Sequence, residues 1–316
     1  MSRCSDESIV AEEQLAGTSP HASAWVCLEQ TGPWGAKAFT ASHLDPDLGR
    51  AIEAAAADHG VRPALVRRPG PHPDARPAGA TRDPRRVLVA CTRPGRSWVL
   101  AGQLPGPVDL LALDWAALAR GDADAVRRSL PALRPEHEAH LLVCTNGRRD
   151  VCCAVKGRPL ALALADRHPG TVWETTHTSG HRFAPTAVLL PAGTLHGRLD
   201  VAGAEVLLHA AARRQTVLAG SRGRSTWTAP GQVAELAVRE WTGELGLDAL
   251  TVTAVDDLPD RWRVRVGHAD GRAWWLEVWA EDTGIVRRES CAKAAVALRR
   301  WHTSVEDLGA GVTLPG

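Results

Sequence analysis

From residue 136 the apolar positions come in short runs separated by helical stretches. His140 to Cys144 reads as a buried strand, Pro159 to Arg167 as a helix with proline in its first turn, and Thr171 to Thr175 as a second strand. Ala187 to Leu190 and Thr194 to Leu199 read as two more strands across a Pro-Ala-Gly turn, and Gly203 to Arg213 as a helix. Upstream, the pattern predicts a strand at Trp25 to Glu29, a turn at Gly32-Pro33-Trp34-Gly35 and a helix from Asp47 to His59. A hairpin follows (Arg86 to Thr92 with Ser97 to Leu104), then a helix from Asp114 to Leu130; Arg67 to Arg86, rich in Pro, Gly and Arg, reads as a long surface loop. Downstream, Gly220 to Arg224 reads as a linker and Gly231 to Trp241 as a helix. Leu250 to Val255, Arg261 to His268 and Ala273 to Ala280 read as strands, and Cys291 to Trp301 as a last helix. No internal repeat is visible.

These elements predict an α/β protein of three units: an N-terminal α/β unit over 1–135, a middle domain over 136–228 and a small α+β tail over 229–316. The middle order of strand, loop, helix, strand, strand pair and helix is that of a thioredoxin-like domain, though alternation alone fits several α/β folds.

Charge adds little: 37 basic against 36 acidic side chains give +1, so no overall field favours nucleic acid or an anionic membrane. Only Lys37, Lys156 and Lys293 are lysines and tyrosine is absent, a bias that devalues the many arginines as evidence of phosphate binding. Met1 to Leu15 carries Asp6, Glu7, Glu12 and Glu13 without an apolar core, unlike a secretory signal. The oiliest region, Trp98 to Leu118, is broken by glycines, prolines and aspartates. Seven irregularly spaced cysteines do not suggest a disulfide scaffold. The expectation is a cytoplasmic protein with reduced thiols or metal ligands, and neither nucleic acid nor membrane as partner.

Two segments of the middle domain carry the candidate chemistry: Cys144-Thr145-Asn146-Gly147-Arg148-Arg149-Asp150-Val151-Cys152-Cys153 and His177-Thr178-Ser179-Gly180-His181. The first leaves a strand and enters a helix, so a turn at Asn146-Gly147 lets two thiols nine positions apart face one point. Cys153 lies near the helix start, where free amides favour a thiolate. The second leaves the neighbouring strand, and parallel strands open at the same edge. Cys144, Cys153, His177 and His181 thus form a candidate metal site. Thr178 stands where a zinc protease of the His-Glu type needs glutamate, and there is no Cys-x-x-Cys for a dithiol oxidoreductase. Spacing alone leaves structural zinc and a two-iron cluster both open.

Cys-Thr-x-Gly-x-x-Asp-x-x-Cys ending at Cys153, followed by His177-x-x-Gly180-His181-x-Phe183-Ala184, resembles the sucrase/ferredoxin-like family. Leu15-Ala16-Gly17-Thr18, Gly32-Pro33-Trp34-Gly35, Ser42-His43-Leu44-Asp45-Pro46, Leu190-Pro191 and Gly197-Arg198 extend the resemblance over roughly residues 15–230. It implies a thioredoxin-like ferredoxin whose 2Fe–2S cluster is held by Cys144, Cys153, His177 and His181, with Cys152 a bystander. Asn146, where many relatives have histidine, is not a ligand position.

The expected function is electron transfer, with proton coupling through an imidazole and a redox partner protein. Arg148 and Arg149 are candidates to stabilise the reduced state or meet that partner. The alternatives are a zinc-stabilised binding module and, from the family name, a sucrose-cleaving hydrolase. No catalytic pair of carboxylates declares itself for the last, so a carrier is favoured over an enzyme. The remaining cysteines have plain readings: Cys27, Cys91 and Cys291 as core filler, Cys4 as a free thiol. Arg213, Arg214, Arg222 and Arg224 read as a solvated face.

Overall fold

Apolar strands need partners on both edges, and this chain supplies them by using one topology twice. The computed structural model describes residues 2–70 and 84–308. After a short helix α1 (Cys4–Val10), the first pass runs β1 (Ala24–Glu29), α2 (Pro46–Asp58), β2 (Val61–Arg67), β3 (Arg85–Cys91) and β4 (Trp98–Leu104). Two short helices follow, α3 (Trp115–Arg120) and α4 (Ala123–Ser129), and a strand β5 (Arg134–Glu136). The second pass runs β6 (His140–Cys144), α5 (Arg158–Ala165), β7 (Val172–Thr175), β8 (Ala187–Leu190), β9 (Thr194–His196) and α6 (Val201–Ala212), ending in β10 (Ser221–Arg224).

In the first pass β1 pairs parallel with β2 and antiparallel with β3, which pairs with β4. In the second, β6 pairs parallel with β7 and antiparallel with β8, which pairs with β9. The orders β2-β1-β3-β4 and β7-β6-β8-β9 are therefore equivalent. The two passes meet where β2 and β7 pair antiparallel through Val66 with Thr175 and Arg67 with Glu174, making one ten-stranded mixed sheet. The strands of the expected first and middle units thus share a sheet, and a repeat absent from the sequence is present in the topology.

Both passes contribute to one inner core, from Trp25, Val66 and Leu88 in the first to Leu142, Trp173 and Leu195 in the second. Helices cover the outer faces: α2, α3 and α4 over the first pass, α5 and α6 over the second. Helix α2 starts where Asp45 Oδ1 accepts the amides of Asp47 and Leu48, both at 2.9 Å, ahead of Pro46.

The predicted helix over 114–130 is two helices. Gly121 adopts φ +81° and ends the first, and Asp122 caps the second. The predicted linker at 220–224 is the buried edge strand β10, paired with β9. Residues 71–83 of the predicted long loop lie outside the described residues.

The tail is α7 (Ala229–Thr242) packed on a separate antiparallel sheet of β11 (Leu250–Asp257), β12 (Trp262–His268), β13 (Ala273–Arg288) and β14 (Ala295–Leu308). The predicted last helix at 291–301 is instead the start of β14. Its alanines and arginines suit a helix, but pairing with the long β13 satisfies its backbone, and Trp301 packs against Trp262 with the rings tilted and their centroids 5.5 Å apart. Among the described residues no helix is long and apolar enough to cross a membrane.

Candidate metal centre

The parallel pairing of β6 with β7 brings both candidate loops to one edge, as the sequence predicts. Beyond Cys144 the chain turns at Asn146, whose carbonyl accepts the amides of Arg149 and Asp150 at 3.2 Å. Asn146 Nδ2 donates to the Gly35 carbonyl at 3.0 Å, tying this loop to the first pass. The chain then enters a single π-helical turn, Cys153–Gly157, before α5. Gly157 is required there: a Cβ would lie 2.2 Å from the Cys144 carbonyl oxygen. Glycine lets this turn press against the end of β6 and face Cys153 toward Cys144.

Beneath the loop, Glu174 Oε2 accepts from Thr145 Oγ1 at 2.8 Å and from Arg67 Nε and Nη2 at 2.9 and 2.7 Å. A buried charge held this way costs little only because its partner is buried with it. The network fixes the residue that follows Cys144.

The histidine loop folds back through two consecutive left-handed residues, Ser179 (φ +69°) and Gly180 (φ +66°). Four positions then suffice to stack the His177 and His181 rings, with centroids 4.3 Å apart and planes inclined by 17°. Arg222 holds the turn. Its guanidinium donates to the Ser179 carbonyl at 3.2 Å, to Ser179 Oγ at 3.0 Å and to Thr18 Oγ1 at 3.0 Å. A Cβ at position 180 would collide with this guanidinium at 2.6 Å. Arg222 is fully buried and Arg224 nearly so, bonded to Thr92, Leu247 and Asp248; neither belongs to the solvated face read from the sequence, whereas Arg213 and Arg214 are exposed.

The structure brings all four predicted residues together. Cys153 Sγ lies 3.5 Å from His181 Nδ1, and the Cys144 thiol interacts with both Cys153 and His177. The Cys153 hydrogen bond, opposed by burial and helped by His177 and the Thr178 amide, holds the Cys144 thiol well below its usual value. The same bond and burial push Cys153 up. The lowered thiol is thus Cys144 and not, as helix position suggested, Cys153; the Cys153 amide donates to the Asp150 carbonyl at 3.1 Å. Burial, reinforced by His177, lowers His181 to about 4, leaving a neutral imidazole with a lone pair for a metal. Two cations adjoin the thiols. Burial lowers Arg62 to about 10 and Arg222 to about 9, so both stay charged at neutral pH.

His177 borders a cleft of about 310 Å³ lined also by Arg149, His181, Arg182, Glu289 and Lys293. Of the two arginines singled out in the sequence, Arg149 stands at this cleft. Arg148 faces another, of about 590 Å³, beside Trp34, Arg67 and Arg158.

A family model described as sucrase/ferredoxin-like matches residues 15–223. The chain belongs to the sucrase/ferredoxin-like family. Neither the curated proteins nor the solved structures yield a match to it. All four predicted residues fall inside the sucrase/ferredoxin-like segment, and residues 224–316 lie beyond it.

A second cysteine-rich cluster escaped the sequence reading. Cys4, Asp150, Cys152 and Cys291 place one donor atom each within 4.8 Å of one another, an arrangement that could hold a metal ion. Cys4 is a free thiol but fully buried, Cys152 is buried beside it, and Cys291 packs half-buried against this small apolar cluster. Positions 4 and 291 are far apart in the chain, so no local spacing announces them; an odd count of seven cysteines was the one available hint.

Proposed function

We propose that Cys144, Cys153, His177 and His181 hold a 2Fe–2S cluster and that the protein carries single electrons. The observation that carries this reading is the meeting of two thiols and two imidazoles at one strand edge, inside the segment that matches the family. The donor set fits: thiol lies beside thiol and imidazole beside imidazole, the division a centre with two imidazoles on one iron requires. The strand order β7-β6-β8-β9 with α5 and α6 supports a thioredoxin-like domain as its carrier.

When bound, such a cluster takes up and returns one electron. The protein's part is electrostatic and positional. Gly157 and the Glu174 network set the thiols, and Arg222 sets the imidazoles. Arg62 and Arg222 interact with the thiolate charge, and a fixed cation there favours the form carrying the extra electron. His177, half-exposed at the cleft, gives one imidazole access to solvent protons and supplies a route to proton coupling. With Arg182 paired to Glu13, the cleft sets Arg149 and Lys293 against Glu289, a balance that suits an acidic redox partner.

Protein purified without oxygen is expected to be reddish-brown and to contain iron and acid-labile sulfide in equal amounts. A colourless chain with zinc at these residues overturns the proposal. Zinc is the second reading because the 3.5 Å between Cys153 Sγ and His181 Nδ1 is the distance of two donors sharing one ion. For a hydrolase, the cleft beside Arg148 shows no carboxylate among its described lining residues, against the two that glycoside hydrolysis needs.

Arg222→Gln tests the electrostatic part. Removing a unit charge that acts on the thiols, at an effective permittivity of about 20 and a separation on the order of 10 Å, is worth about 1–2 kcal/mol, or roughly 40–90 mV for one electron. The midpoint potential, read by a spectroscopic redox titration, is expected to fall by that amount.

A further inference from the structure

The second cluster has a geometry of its own. The three sulfurs form a nearly equilateral triangle: Cys4 to Cys152 3.6 Å, Cys152 to Cys291 3.4 Å, Cys291 to Cys4 3.6 Å. A tetrahedral zinc with bonds of about 2.3 Å sets its sulfurs about 3.8 Å apart. Asp150 caps the triangle, its carboxylate oxygens 3.8 and 3.9 Å from Cys4 Sγ. That carboxylate is itself held from outside. Oδ1 accepts the Cys152 amide at 2.9 Å, and Oδ2 accepts the Cys291 amide and Ser290 Oγ, both at 2.8 Å. Ligands of metal sites are oriented by outer hydrogen bonds of this kind. The Cys4 amide also points at Cys291 Sγ, 3.5 Å away, a contact that favours a thiolate.

We propose that Cys4, Cys152 and Cys291, with Asp150 as fourth donor, form a second and mononuclear site for a divalent zinc-like ion. A disulfide would single out one pair at about 2.05 Å and strand the third thiol, whereas the triangle selects no pair. A single ion is favoured over a two-iron centre because three thiols converge on one point, whereas a two-iron centre takes its donors as one pair at each iron. Binding forms three metal–sulfur bonds as three S–H bonds are given up and their protons pass to solvent. Cys152 serves this site while Cys153 serves the other because consecutive residues of a helical turn point about 100° apart.

The consequence is a clasp joining α1, the ligand loop after β6 and the β13–β14 connection. Cys4 and Cys291 lie outside residues 15–223 while Asp150 and Cys152 lie inside, so the clasp ties the matched segment to chain on either side of it. By fixing Cys152 it fixes the backbone that carries Cys153.

The test is elemental analysis of the full chain grown with added zinc. We expect one zinc per chain besides any iron, lost in Cys4→Ser and in Cys291→Ser while iron, sulfide and colour remain. Cys153→Ser should do the reverse, losing iron and keeping zinc, so failure here and failure of the 2Fe–2S reading are distinguishable. Should the serine variants misfold, cobalt added to the zinc-free wild-type chain supplies a second readout. Intense sulfur-to-cobalt charge transfer with tetrahedral ligand-field bands supports the site. Weak octahedral bands, absence of zinc from the wild type, zinc unmoved by both serine variants, or a disulfide blocking two of the three thiols from alkylation would each overturn it.

Discussion

A chain carrying Cys153→Ser is expected to purify colourless, while Cys152→Ser purifies with its colour intact. The two residues are adjacent and both buried, so a general packing defect would affect them alike. Their surroundings differ: Cys153 faces Cys144 and His181, whereas Cys152 faces Cys4 and Cys291. Serine cannot replace the thiolate at neutral pH, because its hydroxyl keeps its proton. The loss of iron at position 153 should therefore exceed the roughly 10–100-fold that outer-sphere changes cost metal sites. Iron per chain and visible absorption are the measurements, and equal loss in both variants would contradict the assignment. Cys152→Ser carries a signature of its own, the loss of zinc with iron retained.

The second large effect is on stability. Glu13 is nearly buried, and its carboxylate accepts from Arg182 Nε at 2.7 Å and from Arg287 Nε at 2.8 Å. Glu13→Ala leaves two inward-facing guanidiniums without their counter-charge, a change worth about 3–5 kcal/mol. The midpoint of urea unfolding should fall accordingly. The pH dependence has a definite sign. Burial alone would raise the Glu13 carboxyl, but the Arg287 hydrogen bonds and the Arg182 charge outweigh it and hold it below its usual value. Its contribution is thus complete above the unfolded carboxyl range and vanishes as pH falls through the lower folded value. Wild type and Glu13→Ala should converge in stability in acid and diverge toward neutrality.

Much of the ligand-bearing region was legible because its determinants are local. A buried strand ending in Cys144, a turn at Asn146 and a His-x3-His segment unsuited to a helix suffice to predict convergence, given two parallel strands. What escaped was set by distant partners. Gly220 to Arg224 looks like a linker because its glycines suit a loop, yet Arg222 spans to Thr18 and Ser179 and is buried by them. The run from Cys291 has helical composition, and only the free edge of β13 makes it a strand. Cys4 and Cys291 are brought together from 287 positions apart, a proximity that no spacing rule encodes. The family resemblance did not help there, since it covers neither residue.

The doubled topology divides labour between unequal twins. The pass without proposed donors contributes the Gly35 carbonyl that seats Asn146 and the Leu65 backbone that pairs with Thr176 just before His177. It works as a jig: the spacing of the donors is inherited from a half of the molecule that has none. Drift in β2 or in the Gly32–Gly35 turn would therefore be transmitted to the proposed donors, although neither element carries one.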